Sequence, residues 1–211
     1  MKRSFSVLML TLTLLSGFCA SCRPVTEVSS PDGRIVVRAM LSGEGVPLYA
    51  VDVDGAPFIE ASPMGLAADD VELSSGFRLL SSRLTQCDSL WHQPWGENKE
   101  IRDAHRTLLL RLRNADDVRL DIELRVFDDG LGFRYTYELL SPDTLSVMDE
   151  RTAFAFAGDA ATWSIPGDFN SYEHLYRKMP LSELSSANTP LTLKFSDSLY
   201  AAMILLLGAV S

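Results

Sequence analysis

Two segments of the chain combine aromatic rings with carboxylates and amides, and neither shows the regular alternation of a strand. They are LWHQPWGENKEIRDAHR, residues 90–106, and WSIPGDFNSYEHLY, residues 163–176. All three tryptophans of the chain, Trp91, Trp95 and Trp163, lie in them. Flat aromatic faces beside polar groups are typical of sugar binding, because one face of a sugar ring is apolar and its hydroxyls need hydrogen-bond partners. We therefore predict a carbohydrate surface, with a long loop folded on its own aromatic side chains as the alternative.

The second segment also carries oxygen ligands that suit a hard cation such as calcium. Asp168, Asn170 and Glu173 lie within six residues of one another. Calcium takes about six to eight oxygen ligands, so these three side chains are too few to hold the ion alone. Their spacing also differs from that of an EF-hand loop. A calcium role for this segment therefore requires ligands from elsewhere.

Other catalytic and metal-binding patterns are absent from the sequence. No pair of histidines has the spacing of a zinc site, and the chain has neither a glycine-rich phosphate loop nor a Gly-x-Ser-x-Gly nucleophile turn. Cys87 stands in the polar stretch TQCDS without a basic partner nearby in sequence, so we do not favour it as a nucleophile. The adjacent carboxylates Asp128 and Asp129 precede Gly130, and we interpret them as turn residues rather than as a catalytic pair.

Strands must position these segments. Apolar residues alternate with charged ones from Val118 to Val126, which predicts a strand with one buried and one wet face. Similar strands are predicted near residues 35–40, 48–53, 77–84, 108–113 and 132–138, and no long stretch has a helical period. Because alternation of this kind is typical of antiparallel sheets, we predict an all-β fold made of an antiparallel β-sandwich.

The composition limits the class of protein. Hydrophobic residues make up 46% of the 211 residues, which suits one substantial globular domain. The formal net charge is −9, and no basic patch is visible, so we expect no nucleic-acid partner. The cysteines give no disulfide framework if Cys22 is modified, because Cys87 would then be the one cysteine of the mature chain.

The first 21 residues have the character of an export signal. Lys2 and Arg3 precede a short apolar stretch, which is followed by small residues and cysteines. The end of the segment resembles a bacterial lipobox in which Cys22 is lipidated, and simple secretion after Ser21 is the alternative. We therefore expect a signal peptide over residues 1–21, a mature domain over 23–211, and a location in the periplasm or outer membrane with membrane contact only through the lipid anchor.

Several motifs, taken in order, resemble the N-terminal β-domain of glycoside hydrolase family 97. They are SPDGR, PLYAVDVDGAPFIEASPMGL, WHQPWGENKEIRD, LRVFDDGLGFRYTYEL and WSIPGDFNSYEHLY. The resemblance covers nearly all of the mature chain, and PWGE and FDDGLGFRY are its most specific parts. The family contains exported bacterial α-glucosidases and α-galactosidases.

The resemblance implies a super-sandwich of antiparallel strands in front of a catalytic (β/α)-barrel, with calcium at the active site. The barrel supplies the catalytic carboxylates and most of the calcium ligands, and Glu173 matches the glutamate that the N-terminal domain contributes. Trp95, Glu97 and Trp163 are then the expected contacts to carbohydrate. We assign no catalytic residue in this chain.

The chain departs from the family pattern at its end, where AAMILLLGAVS replaces an expected polar segment. We expect a sandwich that is incomplete at its C-terminus and a catalytic barrel that is missing, so the chain would be inactive alone. The alternatives are a stand-alone carbohydrate-binding or surface module on a lipid anchor and a nonfunctional fragment that folds poorly. Sugar specificity and the stereochemical course of hydrolysis stay open.

Overall fold

A computed structural model describes residues 26–68, 71–138 and 146–204. The expected signal peptide, the lipidation site Cys22 and the apolar tail from residue 205 onwards lie outside the described residues. Within the described ranges, no helix has the length and apolar character that a membrane crossing requires.

The regular elements of the described residues are strands and one short 3₁₀ turn at Leu181–Glu183. In chain order the strands are β1 (Glu27–Ser29), β2 (Ile35–Leu41), β3 (Pro47–Val53), β4 (Ala56–Pro63), β5 (Leu66–Ala68), β6 (Arg78–His92), β7 (Glu100–Arg113), β8 (Arg119–Val126), β9 (Leu131–Glu138), β10 (Val147–Glu150), β11 (Ala161–Ser164), β12 (Arg177–Pro180), β13 (Leu191–Lys194) and β14 (Tyr200–Met203).

Two four-stranded antiparallel sheets, β1-β2-β3-β4 and β6-β7-β8-β9, pack face to face. The alternation in β8 buries Leu120 and Leu124 completely, and Val37 and Tyr49 of the first sheet belong to the same apolar core. One face of each sheet is therefore removed from water, which is the main stabilising contribution to a sandwich. The predicted all-β antiparallel sandwich is confirmed.

Tight turns connect these strands. Asp54 and Gly55 both have positive φ, 52° and 79°, in the two-residue connection between β3 and β4. The amide of Phe127 donates to the carbonyl of Gly130 at 2.8 Å, and Asp128 Oδ1 accepts from the amide of Asp32 at 2.8 Å. The Asp128-Asp129 pair is therefore a turn, as predicted.

A third four-stranded sheet has the order β12-β11-β13-β14 and its own small core around Leu191 and Leu193. Three phenylalanines connect this sheet to the sandwich. The ring centroid of Phe195 lies 4.9 Å from that of Phe58 and 5.3 Å from that of Phe156. Because Phe58 belongs to β4, the contact places the third sheet against the first.

The expectation that residues 90–106 break the strand pattern is wrong. Strand β6 continues to His92 and β7 begins at Glu100, so only residues 93–99 turn. Strand β8 pairs with β7 only from Arg106 onwards. The outer part, residues 87–92 and 100–105, is therefore a two-stranded extension, called the ribbon below. Most side chains of the ribbon are exposed, so neither face has to be apolar and its sequence shows no apolar alternation.

The other chemical segment is irregular, as expected. Trp163 and Ser164 end β11, and residues 165–176 then run without regular structure until β12 begins. These residues are called the 165–176 loop. The loop connects two hydrogen-bonded neighbours in the third sheet, so its two ends are fixed by the ladder between β11 and β12.

Candidate functional site

The 165–176 loop is tied to a second stretch of chain near residue 188. The amide of Asn188 donates to the carbonyl of Ile165 at 3.2 Å, and the hydroxyl of Tyr172 donates to the carbonyl of Thr189 at 2.9 Å. Irregular backbone needs such partners in place of a sheet ladder. These two hydrogen bonds therefore fix the loop to the neighbouring chain at the surface.

Within the loop, Asp168 is already engaged. One of its oxygens accepts from the amide of Asn170 at 2.9 Å, and the other lies 3.0 Å from Nε2 of His174. The hydrogen bond from Asn170, followed by that from His174, holds the pKa of Asp168 below its ordinary value. Asp168 therefore serves the shape of the loop, and its two oxygens are not both free for a cation.

Glu173 is the carboxylate that the loop leaves free. It is exposed, and its side chain makes no hydrogen bond or ion pair with any residue in the described ranges. Asp168, Glu173 and His174 do not converge into a cluster of metal-ligating atoms; the described residues form such a cluster only in the ribbon. Glu173 thus fits the role of one ligand to a shared cation, and the loop alone does not fit that of a complete site.

Large apolar side chains surround this carboxylate in the sequence and point into solvent. Phe169 is fully exposed, Leu175 is 89% exposed, and Tyr172 and Tyr176 are each more than half exposed. A shallow concavity of about 400 Å³ is lined by residues 168–172 together with Asn188 and Thr189. Sequence reasoning singled out the polar residues and missed Phe169 and Leu175, although large apolar residues in a non-periodic segment were the available signal.

Trp95 and Glu97 lie at the tip of the ribbon. The side-chain amide of Gln93 donates to the carbonyl of Asn98 at 2.7 Å and closes the turn. Gly96 has a φ of 122°, a conformation that side chains rarely tolerate. This structured turn holds Trp95 outwards, with 85% of its surface exposed, beside the exposed Glu97.

Trp163 lies in a different environment, on β11 in the third sheet. The ammonium nitrogen of Lys178, its cross-strand neighbour, lies 5.0 Å from the centre of its ring. The ring is half-buried, and this cation occupies one of its faces. Trp163 therefore lies on the third sheet, whereas Trp95 and Glu97 lie in the turn between β6 and β7, and no hydrogen bond or aromatic contact joins the two tryptophans among the described residues.

Similarity to solved structures identifies the architecture. The chain superposes with a TM-score of 0.74 on a glycoside hydrolase family 97 enzyme from Pseudoalteromonas sp. strain K8, solved with panose and with acarbose, at 26% identity. The match covers 80% of this chain and 26% of that enzyme. A β-arabinopyranosidase shares the fold at 21% identity, over 83% of this chain and 30% of its own. The fold is thus that of a β-domain in a glycoside hydrolase.

Sequence comparisons give the family. The model described as glycosyl-hydrolase 97 N-terminal matches residues 28–204. A probable retaining alpha-galactosidase from Streptomyces bingchenggensis (strain BCW-1) is 30% identical over 140 residues, which are 64% of this chain and 21% of that protein. The chain belongs to glycoside hydrolase family 97 and carries its N-terminal domain. It spans a fifth to a third of the length of these relatives.

Proposed function

We propose that this domain completes the active site of a calcium-dependent, exported α-glycosidase that acts on oligosaccharides. Its relatives support a carbohydrate substrate, since one is a probable retaining alpha-galactosidase and another was solved with panose. The chain matches only the N-terminal part of the family, so the catalytic carboxylates would come from a separate catalytic domain. The role proposed for the domain is to contribute Glu173 and to position the sugar.

The observation that carries the proposal is the exposed carboxylate of Glu173, which pairs with no side chain of the described residues and shares an anchored loop with exposed Phe169 and Leu175. Burying each of these two apolar side chains against a partner would contribute roughly 1.5–3 kcal/mol. An anchored backbone lowers the entropic cost of docking. The loop therefore has the properties of a surface that another domain covers, and Glu173 is the carboxylate it would offer there.

Glu173 would supply one oxygen ligand to calcium, and the catalytic domain would supply most of the others. Bound calcium would hold oxygen atoms of the substrate and of the protein in a fixed arrangement near the reacting bond. Because calcium takes about six to eight oxygen ligands, Glu173 alone would bind the ion only weakly, on the order of millimolar or poorer. Calcium binding is thus proposed as a property of the joined domains.

Trp95 and Glu97 are proposed as the carbohydrate contacts of the ribbon tip. An exposed indole offers an apolar face to a sugar ring, and the neighbouring carboxylate accepts hydrogen bonds from hydroxyls. Trp163 offers less free ring area because Lys178 covers one face. The exposure of Trp95 also favours the second candidate function, a stand-alone carbohydrate-binding module, which would bind oligosaccharides without any catalytic domain.

Export and anchoring are proposed from the N-terminal residues. Replacing Cys22 with serine should release the protein from the membrane fraction, because lipid chains on that cysteine would otherwise provide the anchor. Fractionation of cells that express either form, followed by immunoblotting, measures the effect. A wild-type protein that is already soluble in the periplasm or medium would favour simple secretion after Ser21.

A chimera tests the active-site role. Residues 26–204 would replace the N-terminal domain of the Pseudoalteromonas enzyme, and Glu173→Gln would be compared with Glu183→Gln, which changes another exposed glutamate of the same sheet region. We expect Glu173→Gln to lower calcium affinity about 10–100-fold or more, with a matching loss of turnover, because it removes a ligand charge. Glu183→Gln should change neither. Full activity and full calcium affinity in the Glu173→Gln chimera would show that the loop only packs.

A further inference from the structure

The ribbon brings Cys87 close to Asp103 and His105, which lie 16 and 18 positions further along the chain. Cys87 on β6 is directly opposite His105 on β7, and Ser89 is directly opposite Asp103. Because side chains alternate along a strand, all four lie on the same face of the ribbon. Cys87, Asp103 and His105 thus form one cluster, called the ribbon cluster.

The ligating atoms of the ribbon cluster already lie close together. One donor atom from each residue is within 4.8 Å of the other two, and Nδ1 of His105 lies 2.6 Å from Oδ1 of Asp103. His105 is 5% exposed, and the centroid of its ring lies 5.0 Å from that of Phe127. Cys87 and Asp103 are partly exposed, so the cluster is closed at the histidine and open to solvent on the other side.

We propose that the ribbon cluster binds a divalent transition metal ion, with zinc as the best match. Thiolate, imidazole and carboxylate are the ligand types that zinc takes, and a three-residue set leaves the fourth tetrahedral position for water. Calcium is disfavoured because a sulfur and a nitrogen replace the oxygen ligands it requires. Within the described residues Cys87 forms no disulfide bond, and the contact of its sulfur is a weak one, to Oγ of Ser89 at 3.6 Å.

A metal here would hold the ribbon in a fixed shape. Strand β8 pairs with β7 only from Arg106 onwards, so no third strand among the described residues pairs with the ribbon. The metal would join β6 and β7 through side chains just beyond that point, next to the core residue Val126 and its neighbour Phe127. The site would thereby reduce the motion of the turn that carries Trp95.

Cobalt(II) titration of the full chain tests the proposal, in a background where Cys19 and Cys22 are replaced by serine so that Cys87 is the remaining thiol. We expect a thiolate-to-cobalt charge-transfer band in the near ultraviolet and the visible absorption of tetrahedral cobalt, both displaced by zinc. Cys87→Ser should abolish the charge-transfer band. Asp103→Asn and His105→Gln should weaken affinity at least about 10-fold, since each removes one of three ligands.

His92→Gln is the matched control. His92 also lies on the ribbon and also pairs with a carboxylate, Glu100 at 3.1 Å, but it is exposed and outside the cluster. The His92→Gln replacement should leave cobalt affinity unchanged. Should His105→Gln fail to fold because its ring is buried, Cys87→Ser and Asp103→Asn decide the outcome. The proposal is overturned if no charge-transfer band forms, or if cobalt affinity is the same after Asp103→Asn, which would mean that the thiol binds metal without the cluster.

Discussion

Glu123 shows how single residues stabilise the wet face of the sandwich. Its carboxylate, 17% exposed, accepts hydrogen bonds from Nε of Arg125 at 2.6 Å and from Arg134 at 3.0 Å. Burial alone would raise the pKa of Glu123, but the hydrogen bonds from Arg134 and Arg125 outweigh it and hold the pKa below its ordinary value. The charged form of Glu123 is therefore favoured in the folded state.

Glu123→Gln should lower the free energy of unfolding by about 1 kcal/mol at pH 7, because it removes a charge paired with two arginines. The folded-state pKa is lowered, so this contribution is present above the pKa of the unfolded chain, near 4.5, and is lost as pH falls through the folded-state value. Urea unfolding at pH 7 and at pH 3 should show the difference between the two proteins shrinking at low pH.

Glu138→Gln is the control for this prediction. Glu138 pairs with Arg119 on the same sheet but is 64% exposed, so its replacement should change the free energy of unfolding by less than about 0.5 kcal/mol. An effect of Glu123→Gln that stays constant between pH 7 and pH 3 would mean that lost packing, rather than lost charge, explains it.

Residue types singled out the tryptophan-bearing segments, and the family resemblance singled out Glu173. Trp95, Glu97 and Glu173 are all exposed, and their roles stay predictions. The ribbon cluster was missed because Cys87 and His105 are 18 positions apart and meet only through the register of β6 and β7. That register follows from where the turn at residues 93–99 closes, which the sequence did not reveal.

Among the secondary-structure elements, the strands with one buried and one exposed face could be predicted from the sequence. The alternation from Val118 to Val126 matches β8, which begins at Arg119 and ends at Val126. The ribbon escaped prediction because most of its side chains are exposed and therefore give no period of two. Hydrophobic alternation therefore indicates a strand only when one face of that strand is buried.

Gly45 shows how a turn fixes the position of a neighbouring segment. It has a φ of 74°, and a Cβ at this position would lie 2.5 Å from the backbone nitrogen of Phe77. Its carbonyl accepts from that same amide at 3.0 Å. The turn between β2 and β3 is therefore in direct backbone contact with the chain that enters β6.

Gly45→Ala should lower the free energy of unfolding by roughly 2–4 kcal/mol, since the backbone would have to move to relieve both the contact and the positive φ. Gly43→Ala is the matched control, because Gly43 lies two residues away in the same turn with open space around it. Urea unfolding measures both. Equal midpoints for the two variants would show that the close approach to Phe77 is readily relieved.

At the scale of the whole molecule, the three four-stranded sheets of the described residues differ in how much apolar core they contain. The sandwich contains most of the apolar core, whereas the third sheet has a small core and carries the 165–176 loop. The contact of Phe58 with Phe156 and Phe195 couples them, so the loop is supported by the sandwich through β4. A loop that exposes Phe169 and Leu175 can therefore keep its position without burying them itself.

Replacing both Phe169 and Leu175 with serine should change the free energy of unfolding of this chain by less than about 0.5 kcal/mol, because both side chains are exposed. In the chimera with a catalytic domain, the same double change should weaken the free energy of contact between the domains by roughly 3–6 kcal/mol. Two apolar side chains that the catalytic domain would bury are then missing. Urea unfolding and limited proteolysis of the isolated chain and the chimera measure the difference.

Leu193→Ala is the control for the double serine variant. Leu193 is fully buried in the core of the third sheet, so its truncation should destabilise the isolated chain and the chimera alike, by roughly 2–5 kcal/mol. The double serine variant should separate the two proteins because its effect depends on a partner surface. If it destabilised the isolated chain as much as the chimera, Phe169 and Leu175 would be packing within their own domain, and the 165–176 loop would not be the surface that the catalytic domain covers.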